Sequence, residues 1–256
     1  MIGRATLALA TLLALGAEIA LATDAKRSGY DDASAETRAM QDDDAANPAF
    51  LWVAQGDSLW STPAGYPARS CAGCHGDAAL SMRGVAARYP KYDPTLARPI
   101  TLEARIQHCR TDRQGAPALP PEGPPMLGLT AYIGLQSRGM PLAIADDAPV
   151  RPFLEAGQLL FETRMGQLNL SCAQCHDRMA GQRLAGSTIP QAHPNGYPLY
   201  RLEWQAMGSL QRRLRNCLIG MRAEHYEFGA PEYIDLELYM MSRARGLPIE
   251  TPAVRP

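Results

Sequence analysis

Hydrophobic and polar positions divide the chain into one apolar run, one polar stretch and two blocks that repeat the same pattern. The run is "ATLALATLLALGAEIALA" at 5–22, behind Arg4. It reads as a secretory signal (1–22) that ends at the small-x-small triplet Ala20-Leu21-Ala22. Glu18 and the alanine content argue against a membrane anchor, and no later stretch approaches a spanning length, so the processed chain is expected to carry no membrane span. Residues 23–48 are polar and acid-rich and read as an extended or mobile leader rather than core. Beyond them apolar residues recur at helical spacing, as in "EYIDLELYMMSRAR", and strand signals are weak. Pro-rich stretches at 113–125 and 140–152 read as a loop and as a linker between halves. The prediction is all-α: two tandem helical domains, 49–145 and 146–256.

Those halves are copies. Gly56 begins "GDSLW" and Gly157 begins "GQLLF"; Cys71 begins "CAGCH" and Cys172 begins "CAQCH"; both pairs lie 101 residues apart. "LTAYIGLQSRGMPL" (129–142) aligns without gaps on "LELYMMSRARGLPI" (236–249), at an offset of 107. Three blocks in one order indicate a duplicated unit with a short insertion in the second copy. In each copy a helix ending in a bulky aromatic, Trp60 or Phe161, precedes the paired cysteines, and a further helix stops at Gly-x-Pro.

The net charge of −1 gives no global attraction to nucleic acid. Cys-x-x-Cys-His is the attachment signature of c-type haem. Thiols three positions apart lie about one helical turn from each other and can add to the two vinyl groups of one porphyrin, and the following histidine can ligate its iron. Cys71, Cys74 and His75 are candidates for a first covalent haem, and Cys172, Cys175 and His176 for a second. A zinc site would need four closed ligands, and a thioredoxin-like pair would not use the histidine. A macrocycle in each core also suits domains with only 7% aromatic residues.

The two remaining cysteines also match. "RIQHC" (105–109) aligns with "RLRNC" (213–217) at an offset of 108. No methionine occupies matching positions as an axial ligand. Three readings of Cys109 and Cys217 stand: a disulfide between them, inert buried thiols, or thiolate ligation of each iron. Neighbouring arginines (Arg213, Arg215 and Arg222 around Cys217) favour the thiolate, because positive charge lowers a thiol pKa. Arg213 and Cys217, four apart, would share a helix face.

The paired motifs, the lone cysteine after each and the closing "GLPIETPAVR" (246–255) resemble the SoxA family of c-type cytochromes. The resemblance spans both halves and is most specific in "RLRNCLIGMRAEHYEFGAPEYIDLELY". It implies an L-cysteine S-thiosulfotransferase that joins thiosulfate oxidatively to a cysteine of SoxY in the SoxYZ carrier. Electrons would leave through haem to the mono-haem partner SoxX and a downstream c-type cytochrome, in the periplasm. It implies that Cys217 ligates the second iron, is catalytic and can carry an extra sulfur, and that Arg213 binds substrate. Many members lack the first haem motif; this chain keeps it, so a di-haem form is expected, with His75, Cys109, His176 and Cys217 as the candidate axial ligands. A di-haem carrier without bond chemistry is the alternative.

Overall fold

The computed structural model describes residues 25–256; the expected signal segment lies outside them. One helix, α1 (Ala35–Asp42), comes before the repeat. The first copy contains α2 (Phe50–Ser61), α3 (Cys71–His75), α4 (Ala78–Ser81), strands β1 (Lys91–Asp93) and β2 (Arg98–Ile100), α5 (Leu102–His108) and α6 (Pro124–Leu135). The second contains α7 (Arg151–Glu162), α8 (Cys172–His176), β3 (Arg183–Leu184), β4 (Ser187–Thr188), β5 (Leu199–Arg201), β6 (Ala206–Gly208), α9 (Leu210–Gly220) and α10 (Pro231–Arg243), and β7 (Ala253–Arg255) closes the chain.

The all-α expectation is therefore corrected to helix-rich with small sheets: two antiparallel hairpins, β1–β2 and β3–β4, and a three-stranded sheet ordered β6–β5–β7 with β7 parallel to β5. Strands of two or three residues are too short to show an alternation, and the prolines in "YPKYDPTLARPI" argue against one.

Each copy folds around its own core. Trp60, Leu102, Ile106, Met126, Leu129 and Ile133 fill the first. Phe161, Leu210, Leu214, Tyr233, Leu236 and Met240 occupy the matching places in the second. The first and last helices of each copy cross at a glycine: Gly56 lies against the backbone of Gly128, and Gly157 against that of Asp235. The two lobes join where the repeat meets itself. Pro141 and Pro248 form an antiparallel bridge, flanked by Gly139 N–H to Ile249 O at 2.8 Å and Leu142 N–H to Leu247 O at 2.9 Å.

The expectation of an extended leader is also corrected. Ser34 caps α1 by accepting from Thr37 N–H, and the segment packs on the C-terminus. Gln41 Oε1 accepts from Val254 N–H at 3.0 Å, Asn47 Nδ2 donates to Pro252 O at 2.9 Å, and Ser28 bonds Glu250, which is also paired with Arg255. Ser28, Gln41, Asn47 and Arg255 are buried but partnered, which composition alone does not reveal.

A small cavity of about 40 Å³ lies between the lobes, with Glu103 and Glu237 on its wall. Burial pushes both carboxyl groups above the usual glutamate range, with Glu122 adding repulsion at Glu103 and Glu103 adding it at Glu237. A folded-state pKa above the unfolded value means that the native state holds the extra proton, so stability falls as pH rises from the ordinary glutamate range through the raised one. Glu237→Gln is therefore expected to raise the thermal midpoint at pH 8, by roughly 2–4 °C for each kcal/mol recovered, with the gain shrinking at pH 4. Melting curves at the two pH values check it.

Candidate active site

Helix α8 starts on a reciprocal cap. Ser171 Oγ accepts from Gln174 N–H, and Gln174 Oε1 accepts from Ser171 N–H at 2.8 Å. The cap fixes one helical turn that carries Cys172, Cys175 and His176. His176 is half-buried, and its Nδ1 lies 2.7 Å from Pro190 O. A proton on Nδ1 would be held by that carbonyl, leaving Nε2 free as a metal ligand. Burial pushes His176 below the usual histidine range, with Arg213 and Arg243 acting the same way. The neutral imidazole is the form that ligates metal.

Helix α9 brings the third thiol. Ser209 caps it by accepting from Arg212 N–H at 3.1 Å, and Leu210, Leu214 and Leu218 bury one stripe. Cys217 lies beside Cys172, whose thiol is pushed up to about 12 by burial and by that neighbour. Arg213, one turn earlier, lies near His176 and the half-buried Tyr197. The structure thus gathers Cys172, Cys175, His176, Cys217 and Arg213 in one place. Arg215 is turned to His225 Nε2, 3.2 Å away, and to the Phe228 ring. Arg222 lines an open groove with Met165, Glu224 and His225.

The first lobe repeats the scheme with differences. Ser70 Oγ accepts from Gly73 N–H at 2.9 Å at the head of α3, and the His75 ring lies 5.8 Å from that of Trp60. Cys109 lies near Cys71 and Cys74. It opens a π-helical turn (109–113), whereas Cys217 lies within regular α-helix. All six cysteines are free, and the two lone ones sit in separate lobes, so a Cys109–Cys217 disulfide is not formed. At Cys109 the neighbouring arginines, Arg105 and Arg113, act in the expected direction, but burial outweighs them and pushes that thiol up. Arg105 is already paired with Asp93. Two thiols one turn apart, an adjacent imidazole and a facing third thiol form a soft S/N donor set that fits c-type haem in both lobes.

Sequence reading missed Tyr197, Pro190 and Arg243. Arg243 pairs with Asp177 at 2.5 Å and stacks 4.5 Å from the Phe161 ring centroid. One signal was present: Tyr-Pro-x-Tyr recurs at 89–92 and 197–200, at the 108-residue offset of the lone cysteines.

The model of the SoxA/TsdA cytochrome c domain matches residues 55–142 and again 156–249. The chain belongs to the SoxA family. It is 40% identical to the L-cysteine S-thiosulfotransferase subunit SoxA of Pseudaminobacter salicylatoxidans, over 89% of this chain and 80% of that protein. It is 38% identical to the SoxA subunit of Rhodovulum sulfidophilum, over 91% and 81%. The crystal structure of SoxXA from P. pantotrophus superposes with a TM-score of 0.87 at 35% identity, covering 90% of this chain and 87% of that one. SoxA membership carries c-type cytochrome domains with it, and among the described residues no helix is long and apolar enough to cross a membrane.

Proposed function

We propose that this chain is the SoxA-type subunit of an L-cysteine S-thiosulfotransferase, which couples thiosulfate oxidatively to a cysteine of the SoxYZ carrier. The observation that carries the reading is Cys217 one turn from Arg213 on α9, beside the paired cysteines of α8, in a chain matched over most of its length by relatives of that name.

Arg213 supplies the binding. A guanidinium fork matches the sulfonate-like oxygens of thiosulfate and holds them by charge-assisted hydrogen bonds. The four-residue step along α9, about 6 Å, presents the bound anion to Cys217. Cys217 is the sulfur nucleophile, able to carry a further sulfur as a persulfide. In the net reaction an S–S bond forms between thiosulfate and the carrier cysteine, the carrier S–H proton is released, and two electrons leave. A c-type haem held by Cys172, Cys175, His176 and Cys217 would supply a one-electron acceptor beside that sulfur. Pro190 O holds the His176 ring. A second haem is assigned to Cys71, Cys74, His75 and Cys109. SoxX and a downstream c-type cytochrome take the electrons, in the periplasm, after removal of residues 1–22.

The test is thiosulfate-dependent reduction of an acceptor cytochrome by the complex with SoxX, with the carrier present, together with intact mass of this chain. The expected mass shows two haems and a fraction with an added sulfur of about 32 Da. Cytochrome reduction that ignores thiosulfate would leave only the electron-carrier alternative.

A further inference from the structure

The two lobes treat matching arginines in opposite ways. In the first, Asp93 ends β1, paired across the hairpin with Arg98. Its Oδ1 accepts from Thr95 N–H at 2.9 Å and Leu96 N–H at 3.2 Å, and its Oδ2 pairs with Arg105. In the second, the same register position at the end of β5 is Arg201, paired across the hairpin with Ala206. Arg213 stands where Arg105 stands, and among the described residues it makes no ion pair. Beside it on α9, Arg212 and Arg215 occupy the places of Ala104 and Gln107. A neutral pair has become a group of guanidinium side chains.

We propose that Arg201 is a specificity-determining residue of this site: by replacing the counter-ion of the first lobe, it leaves Arg213 unpaired and adds positive charge that selects a doubly charged sulfur oxyanion. This rests on the function proposed above.

The Arg201 side chain is 16% exposed, and its one acidic partner, Glu203, lies 3.2 Å away and is 64% exposed. An exposed partner is screened by water and neutralises little. Arg201 also lies 5.4 Å from the Trp204 ring centroid, with Arg212 at 4.3 Å from the same ring, and the ring face holds both cations in place. Like charges gathered in a partly buried place repel, and a bound anion relieves that repulsion. The half-buried Tyr197 lies close to both Arg213 and Arg201, so the two charges act on one region. Haem propionates are the rival anions. The first lobe carries the same attachment motif and manages with a neutral pair, so the motif alone does not require the extra charge.

The experiment compares wild type with Arg201→Asp, Arg201→Gln and Arg201→Lys in the complex with SoxX, reading KM and kcat for thiosulfate, calorimetric binding of thiosulfate, and the haem spectrum. Arg201→Asp recreates the pairing of the first lobe around Arg213 and is expected to raise KM and the dissociation constant about 30-fold or more. Arg201→Gln is expected to raise both about 5–10-fold and Arg201→Lys less than about 3-fold, with kcat and the haem spectrum unchanged in all three. Should Arg201→Asp not fold, the Gln and Lys variants carry the comparison. Equal thiosulfate binding by wild type and Arg201→Gln would overturn the inference, as would an altered haem spectrum with KM unchanged, which would make Arg201 a propionate partner. A wild type that binds thiosulfate without turning it over, and loses binding in the variants, would overturn the proposed function and still support Arg201.

Discussion

Cys217→Ser is expected to lower thiosulfate-dependent turnover by at least about 10³-fold, with the haem content unchanged from wild type. Serine keeps the size of the side chain, and Cys217 is only half-buried within a regular stretch of α9, so the fold should persist. The chemistry should not. A hydroxyl ionises several pH units above a thiol, binds soft metals poorly and cannot hold a further sulfur. The matched control is Cys109→Ser, the same change at the equivalent place of the first lobe. There Arg105 is occupied by Asp93, and turnover is expected to stay within about 3-fold of wild type. Rates with saturating carrier, with absorbance to count the haems, separate the outcomes. A Cys217→Ser protein that turns thiosulfate over as the wild type does would return the chain to a pure electron carrier.

Much of this site was legible because its chemistry is local in sequence. Cys-x-x-Cys-His is a one-turn device, and the four-residue step from Arg213 to Cys217 is another, so motif and periodicity suffice to find both. The core was legible through the repeat: Trp60 with Phe161, and Leu129 with Leu236, hold matching places. What escaped depends on contacts far apart in the chain. The polar leader reads as solvated, yet Gln41 and Asn47 satisfy backbone groups more than 200 residues away. "RGMPL" and "RGLPI" read as helix stops, and nothing local says that they pair with each other. The exchange of Asp93 for Arg201 stands in the alignment but gains meaning only once Arg105 is seen to be held by the first of them.

The second large effect is expected at Gly157. A Cβ built there would lie 2.0 Å from Asp235 O and 2.8 Å from Tyr239 Cβ, well inside van der Waals contact and against backbone that cannot rotate away. Gly157→Ala therefore forces α7 and α10 apart. Those helices carry Phe161, which is fully buried, and Arg243, which stacks on it and pairs with Asp177 next to His176. The strain runs from the crossing into the site. Overpacking costs about 1–3 kcal/mol and occasionally more, and a backbone clash belongs at the upper end. Alanine returns up to about 1 kcal/mol of helix propensity. A net loss of about 2–3 kcal/mol would lower the thermal midpoint by roughly 4–12 °C. Gly220→Ala is the clash-free comparison, because Gly220 closes α9 with no neighbour within 4 Å of an added Cβ, and it is expected to leave the midpoint unchanged or slightly raised. Opposite signs in the two melting curves would tie the cost at Gly157 to the helix crossing. Equal and small effects would mean that α7 and α10 do not approach so closely, and that the glycine heading each repeat serves some other purpose.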